Sequence, residues 1–60
     1  MEEYYTVAEL AELFKVSKDT VYKLCENREI PFIKIKGAIR FRHSTIEKWV
    51  TQQEKLNSRL

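Results

Sequence analysis

Apolar residues recur at helical spacing in two short segments near the start of the chain. The first segment predicts a helix over about residues 7–14, with an inward stripe of Val7, Leu10, Ala11 and Phe14. The second predicts a helix from Ser17 to about Asn27, with an inward stripe of Val21, Leu24 and Cys25. Thr6 and Glu9 fit a capping box, and Ser17 is a favourable N-cap. The short connection over residues 14–17 predicts a helix-turn-helix.

Between Phe32 and Arg42 the pattern changes from helical spacing to strict alternation. Two alternating runs on either side of Gly37 predict a β-hairpin with a tight turn at residues 36–38. The apolar residues of both runs are expected to share one face: Ile33, Ile35, Ile39 and Phe41. The cations between them are expected to share the other face: Lys34, Lys36, Arg40 and Arg42.

A third helix is predicted over roughly residues 45–55. Its inward stripe is Ile46, Trp49 and Val50, and Ser44 and Glu47 fit a second capping box. We expect residues 56–60 to form a frayed tail, although Leu56 and Leu60 would extend the stripe. The order helix, turn, helix, hairpin, helix predicts a mostly α fold with a small β-hairpin. This is a winged helix-turn-helix domain over residues 1–55.

The length and composition exclude several classes of protein. Sixty residues make one small domain, and a single cysteine allows no disulfide within the chain. One cysteine (Cys25) and one histidine (His43) cannot supply a four-ligand zinc site, and no catalytic set is present. No segment approaches the roughly 20 apolar residues of a membrane span. We therefore expect a cytoplasmic, non-enzymatic protein with no cofactor, no small-molecule ligand and no membrane contact.

Charge is distributed unevenly along the chain, although the net charge is only +2. Residues 1–14 carry four acidic side chains and no basic one, whereas residues 15–43 carry eight bases against three acids. An asymmetry of this kind indicates a polyanionic partner.

Several short motifs occur together in one order and spacing. They are T-V-x-E-x-A-x-x-F-x-V-S (6–17), T-V-Y-K-L (20–24), I-P (30–31), K-I (34–35), R-F (40–41) and I-x-x-W (46–49). In this the chain resembles the excisionase-type, MerR-like helix-turn-helix family of phage and bacterial DNA-binding proteins. The likeness covers about residues 5–50. One departure is that the family commonly has glycine directly after the K-I pair, whereas here Lys36 precedes Gly37.

The resemblance implies binding to double-stranded DNA, with base edges read by the second helix in the major groove. The exposed candidates on that helix are Ser17, Lys18, Asp19, Thr20, Tyr22 and Lys23. The hairpin cations Lys34, Lys36, Arg40 and Arg42 would lie along phosphates or in the adjacent minor groove. The alternative for these cations is that they only keep an edge strand soluble.

The resemblance further implies an architectural factor that bends DNA near recombination sites and directs an integrase. The expected partners are duplex DNA, an integrase or recombinase, and further copies of the protein on DNA. Two other functions stay open at this point. One is a transcriptional regulator, or the DNA-binding head of a larger one. The other is a protein-interaction module in which the basic hairpin meets an acidic partner.

Overall fold

The computed structural model describes residues 3–57, which form three helices and a small antiparallel sheet. The elements are β1 (Tyr4–Tyr5), α1 (Val7–Phe14), α2 (Lys18–Glu26), β2 (Ile33–Ile35), β3 (Ala38–Arg42) and α3 (His43–Asn57). The strand order in the sheet is β1-β3-β2. The predicted fold class, a mostly α winged helix-turn-helix, is confirmed.

The first two helices begin at the predicted residues because their caps satisfy the unpaired backbone donors. The Thr6 Oγ1 accepts from the Glu9 N–H at 3.0 Å, and the Glu9 carboxylate accepts from the Thr6 N–H at 2.9 Å. This is the predicted capping box. The Ser17 hydroxyl accepts from the Thr20 N–H at 3.2 Å and caps α2, also as predicted.

Both helices end in the same way, with a basic residue in the left-handed region. Lys15 (φ 57°) follows α1 and Arg28 (φ 55°) follows α2. In each case the next residue donates its N–H to a carbonyl five residues back: Val16 to Ala11 and Glu29 to Leu24, both at 2.9 Å. These are Schellman-type ends in which glycine is usual. The tight α1–α2 connection therefore depends on a strained Lys15.

The hairpin β2–β3, here called the wing, has a register that differs from the predicted one. Its turn contains two residues, Lys36 (φ 49°) and Gly37 (φ 86°), and both have the positive φ of a type I′ turn. Ile35 is therefore opposite Ala38, Lys34 opposite Ile39, and Ile33 opposite Arg40.

This register corrects the predicted faces of the wing. Residues directly opposite each other in a sheet point to the same side, so the inner side carries Lys34 with Ile39 and Phe41. Ile33 and Ile35 lie on the outer side with Arg40 and Arg42, and both isoleucines are exposed. The prediction of one apolar and one cationic face was wrong. It required a three-residue turn, and the chain makes a two-residue turn.

A short strand, β1, extends the sheet on the other side of β3 and was not predicted. Tyr4 lies opposite Arg42 and Tyr5 opposite Phe41. The carbonyl of Glu3 accepts from the His43 N–H at 2.9 Å. The third helix begins at His43, directly after β3, so Ser44 lies within its first turn and not before it. It continues through Leu56 and Asn57, where a frayed tail was predicted; the rest of that predicted tail, with Leu60, lies outside the described residues.

The core lies between the helices and the inner side of the sheet. Its buried members are Val7, Leu10, Ala11, Val21, Cys25, Ile30, Phe41 and Ile46. Phe14, Leu24, Ile39, Trp49 and Val50 pack against it while partly exposed. The helical stripes of the sequence are thus the core faces. Ile30, in the loop after α2, is a core residue that periodicity did not indicate.

Candidate nucleic-acid interface

The second helix buries one side and exposes the rest. Val21 and Cys25 are buried against the core. All six candidate reading residues are exposed: Ser17, Lys18, Asp19, Thr20, Tyr22 and Lys23. The α3 helix, which packs against the core through Ile46, Trp49 and Val50, leaves this surface open. A surface of α2 long enough to enter a groove is therefore accessible.

Two of these six residues, Ser17 and Thr20, form hydrogen bonds with each other at the start of α2. The Ser17 and Thr20 hydroxyl oxygens are 2.9 Å apart, and the Ser17 hydroxyl also accepts the Thr20 N–H. Ser17 is thus held by its capping role, and its hydroxyl group is shared with Thr20. Hydrogen bonds within the chain therefore fix the side chains at this end of α2.

Asp19 and Lys23 form an ion pair on the outward side of α2. The Lys23 Nζ lies 3.4 Å from an Asp19 carboxylate oxygen, one helical turn away, and both side chains are largely exposed. An exposed pair of this kind contributes little to stability. It does orient a donor and an acceptor side by side on the surface that would face base edges.

A cleft of about 290 Å³ joins α2 to the wing. It is lined by the start of α1 (Thr6–Ala8), by Lys18 and Tyr22 of α2, and by residues 37–40 of the wing. The structure therefore brings together Lys18, Tyr22 and Arg40. Strand β1 pairs only with Phe41 and Arg42, so the cleft lies beside an uncovered part of β3.

The four wing cations do not form the single face that the sequence predicted. Lys34 lies on the inner side, Lys36 is in the turn, and Arg40 and Arg42 are on the outer side. The Arg40 guanidinium donates to the Ile39 carbonyl at 2.8 Å. Arg42 lies at the base of the wing, beside Tyr4.

A cation that sequence analysis missed, Arg28, lies near Lys34. Both line an open cleft of about 460 Å³ together with Ile30, Pro31 and Phe32. Arg28 follows the end of α2 in a left-handed conformation. In the sequence, Arg28 is marked only by its position shortly before the I-P pair. That position does not indicate in which direction its side chain points.

Cys25 and His43, the one cysteine and the one histidine of the sequence, contact neighbouring side chains of the fold. Cys25 is buried, and burial raises the pKa of its thiol above the usual 9.0. His43 packs on the Tyr5 ring with centroids 5.3 Å apart, and its Nδ1 is 3.9 Å from a Glu47 oxygen. Residues 3–57 contain no cluster of three or more His, Cys, Asp or Glu side chains suited to a metal ion. Each helix within that range is too short or too polar to span a lipid bilayer.

Comparisons with known proteins agree with this arrangement. Residues 4–54 match the family described as "Helix-turn-helix domain". Two Mycobacterium tuberculosis proteins, from strains CDC 1551 / Oshkosh and ATCC 25618 / H37Rv, are each 49% identical to this chain over 35 residues. Both are named provisionally as DNA-binding proteins.

The match to each of these relatives covers 58% of this chain and 45% of the relative. The chain thus spans less than half the length of the curated relatives it matches. No solved structure matches it significantly. The family match extends over most of the chain, from β1 into α3, and includes the turn between α1 and α2. The chain belongs to the helix-turn-helix domain family.

Proposed function

We propose that this helix-turn-helix domain binds duplex DNA sequence-specifically, with α2 in the major groove and the wing along the adjacent backbone. The observation that carries the proposal is the juxtaposition of exposed polar side chains on α2 with a cleft that Lys18, Tyr22 and Arg40 line from two elements. An exposed helix beside a hairpin that carries cationic side chains suits a groove and its phosphates. The names of the two mycobacterial relatives support the same function.

We expect side chains on the outward side of α2 to contact the base edges. Lys23 can donate to guanine O6 or N7, and Asp19 can accept from cytosine N4. Because their side chains are paired across one turn, they would read neighbouring bases as a unit. Lys18, Thr20 and Tyr22 flank them, and Ser17 fixes the start of the helix.

The cleft between α2 and the wing suits a backbone phosphate. Lys18 and Arg40 supply positive charge from opposite walls, and the Tyr22 hydroxyl is a further donor. The start of α1 lines the same cleft, and the N–H groups of a first helical turn attract anions. Lys36 in the turn, and Lys34 with Arg28, would contact phosphates on either side.

The biological role we propose is that of an excisionase-type architectural factor, which bends DNA at a recombination site and directs an integrase. Its support is the likeness of the motifs described above. A single small module makes few base contacts, so useful specificity requires several copies or a protein partner.

Two experiments test these proposals at different levels. Selection from random duplexes should enrich one motif, and failure to enrich any would contradict sequence-specific binding. An electrophoretic shift on the attachment site of the protein's own genetic element, with and without integrase, tests the excisionase role. Binding to a selected motif without binding to the attachment site would instead favour a transcriptional regulator.

A further inference from the structure

The tip of the wing carries one large apolar side chain, that of Ile35. Ile35 is the last residue of β2 before the turn, and it is 55% exposed. The residue opposite it in β3 is Ala38, and the turn contains Gly37. A methyl group added to Gly37 would meet no atom within 4 Å apart from its chain neighbours. The Ile35 side chain therefore protrudes beside small residues that do not shield it.

The core gives no reason for isoleucine at this position. Neither Ile33 nor Ile35 belongs to the buried cluster or to the described side chains that pack against it. In the sheet that the structure describes, β2 is an edge strand that pairs only with β3, and all three of its residues are exposed. Exposed edge strands usually carry charged residues, because apolar ones promote association. Two exposed isoleucines on such a strand indicate a surface that contacts a partner.

Ile35 is better placed than Ile33 to enter a partner. Ile33 borders a cleft of about 190 Å³ at the base of the wing, together with Arg42 and with Thr45 of α3. Ile35 lies two residues nearer the turn, which is about 7 Å along a strand. It thus lies at the free end of the hairpin, beyond this cleft.

Cations flank Ile35 at the tip of the wing. Lys36 follows it in the turn, and Arg40 shares its side of the wing. Arg40 also lines the cleft that Lys18 of α2 borders, so this side of the wing adjoins the helix that we propose reads DNA. The sequence from Ile30 to Arg42 contains no acidic residue. The partner of Ile35 therefore combines dense negative charge with an apolar interior, which is the composition of a base-paired duplex.

A duplex exposes its apolar interior when two neighbouring base pairs unstack. Some proteins that bind the minor groove insert an apolar side chain, such as isoleucine or leucine, between two base pairs, while lysine and arginine bind in the groove beside it. The step is then partly unstacked, and the duplex is kinked by about 20–90°. Steps of the types TA and CA/TG open most easily. A single exposed isoleucine beside two cations matches this arrangement.

We propose that Ile35 is a wedge that enters the minor groove beside the α2 contacts and partly unstacks one base step, with Lys36 and Arg40 on the flanking phosphates. The proposal rests on the proposed binding of duplex DNA and adds the residue that deforms the duplex. Because unstacking is easiest at TA and CA/TG steps, Ile35 also adds to sequence specificity. The preferred step should lie about half a helical turn, or about 5 base pairs, from the bases that α2 reads.

The first test measures unstacking and bending of a duplex that random selection has identified. A fluorescent adenine analogue, placed at each position in turn, brightens where a base loses its stacking, and dyes on the two ends report the bend. The wild type should brighten one step and bend the duplex by about 20° or more. Ile35→Thr keeps a β-branched residue in the strand and should lose both signals. Ile35→Leu should keep them, and Ile35→Val should give a smaller bend.

Leu56→Thr is the matched control, because it removes an exposed apolar side chain from α3. It should bend and unstack the duplex as the wild type does. Equal signals for Ile35→Thr and the wild type would overturn the wedge, and a fully stacked wild-type complex would overturn it in favour of a protein partner at the wing tip. The same titrations give the affinity. If the wild type binds no duplex, the proposed function fails and the wedge fails with it.

Selection from random duplexes is the second test. The wild type should enrich a TA or CA step at a fixed distance from the motif that α2 reads. Ile35→Thr should enrich the same motif without that step, whereas Ile35→Leu and Leu56→Thr should retain it. Enrichment of the step by Ile35→Thr, or its absence from the wild-type selection, would overturn the contribution of Ile35 to specificity.

Discussion

The indole Nε1–H of Trp49 donates a hydrogen bond to the main-chain carbonyl oxygen of Glu29, 3.0 Å away. Glu29 follows the left-handed Arg28 at the end of α2, so this bond ties α3 to the end of the helix-turn-helix. The Trp49 ring also packs on Phe14, with centroids 6.0 Å apart. The Trp49 side chain thus connects α3 to Phe14 of α1 and to the loop that follows α2.

Trp49→Phe should retain the ring and lose the hydrogen bond. We expect the free energy of unfolding to fall by about 1 kcal/mol, with some further loss from the smaller ring. Urea unfolding followed by circular dichroism measures this. Gln52→Ala, on an exposed position of α3, is the control and should change little. Equal stability of Trp49→Phe and the wild type would show that the bond contributes nothing.

Lys15→Gly should stabilise the domain. Lys15 has φ 57° at the turn between α1 and α2, where an L side chain costs on the order of 1 kcal/mol. Glycine removes this strain, and its greater freedom in the unfolded chain offsets part of the gain. We expect a rise in the melting temperature for Lys15→Gly, and none for Lys15→Ala, which keeps the strain.

Lys23→Ala should change which DNA sequence is preferred. Lys23 is paired with Asp19 on the outward side of α2, where base edges would lie. Losing one good base contact costs about 1–3 kcal/mol of discrimination at one or two base positions. Selection from random duplexes with Lys23→Ala and Asp19→Asn should alter neighbouring positions of the motif. An unchanged motif for both variants would exclude this surface as the reader.

Lys36→Ala and Arg40→Ala should weaken binding to all duplexes alike. Each is expected to neutralise a phosphate, so each loss should reduce the slope of log affinity against log salt by about 0.9. Titrations at several salt concentrations on specific and random duplexes measure the slope. Lys48→Ala, on an exposed position of α3, removes the same charge elsewhere and should leave the slope unchanged. If Arg40→Ala keeps the wild-type slope of log affinity against log salt, Arg40 does not neutralise a phosphate.

Stability should fall as the pH rises above about 9. Burial raises the pKa of the Cys25 thiol, so the native state keeps its proton where the unfolded chain, with a thiol pKa of 9.0, releases it. The contribution of this group is complete below pH 9.0 and is lost as the pH rises through the native value. Unfolding curves at several pH values should show a steeper alkaline decline for the wild type than for Cys25→Ala. Parallel declines would contradict the buried, neutral thiol.

The helices were predictable from the sequence because their signals are local. A capping box at Thr6 and an N-cap at Ser17 mark the starts, and apolar residues at intervals of three and four mark the buried side. Each signal lies within a few residues of the structure it specifies. The positions of the candidate reading residues on α2 follow from the same periodicity.

The faces of the wing were not predictable from alternation alone. Alternation fixes the faces within one strand, while the relation between two strands depends on the number of residues in the turn. Lys36 takes a positive φ, which its residue type does not favour, and this shortens the turn to two residues. The strand β1 has two residues and is too short to show any period. Ile30 is buried although it lies in a loop, so no helix or strand periodicity marks it.

The two-residue turn of the wing has a consequence for how such a domain can change. A single residue inserted between Lys36 and Gly37 would turn β2 over, so that its isoleucines would face the helices and Lys34 would face outward. The outer side of the wing would then carry Lys34 with Arg40 and Arg42 in place of the exposed isoleucines, without the loss of any side chain. The length of this one turn therefore decides whether exposed isoleucines or a row of cations form the outer side of the wing.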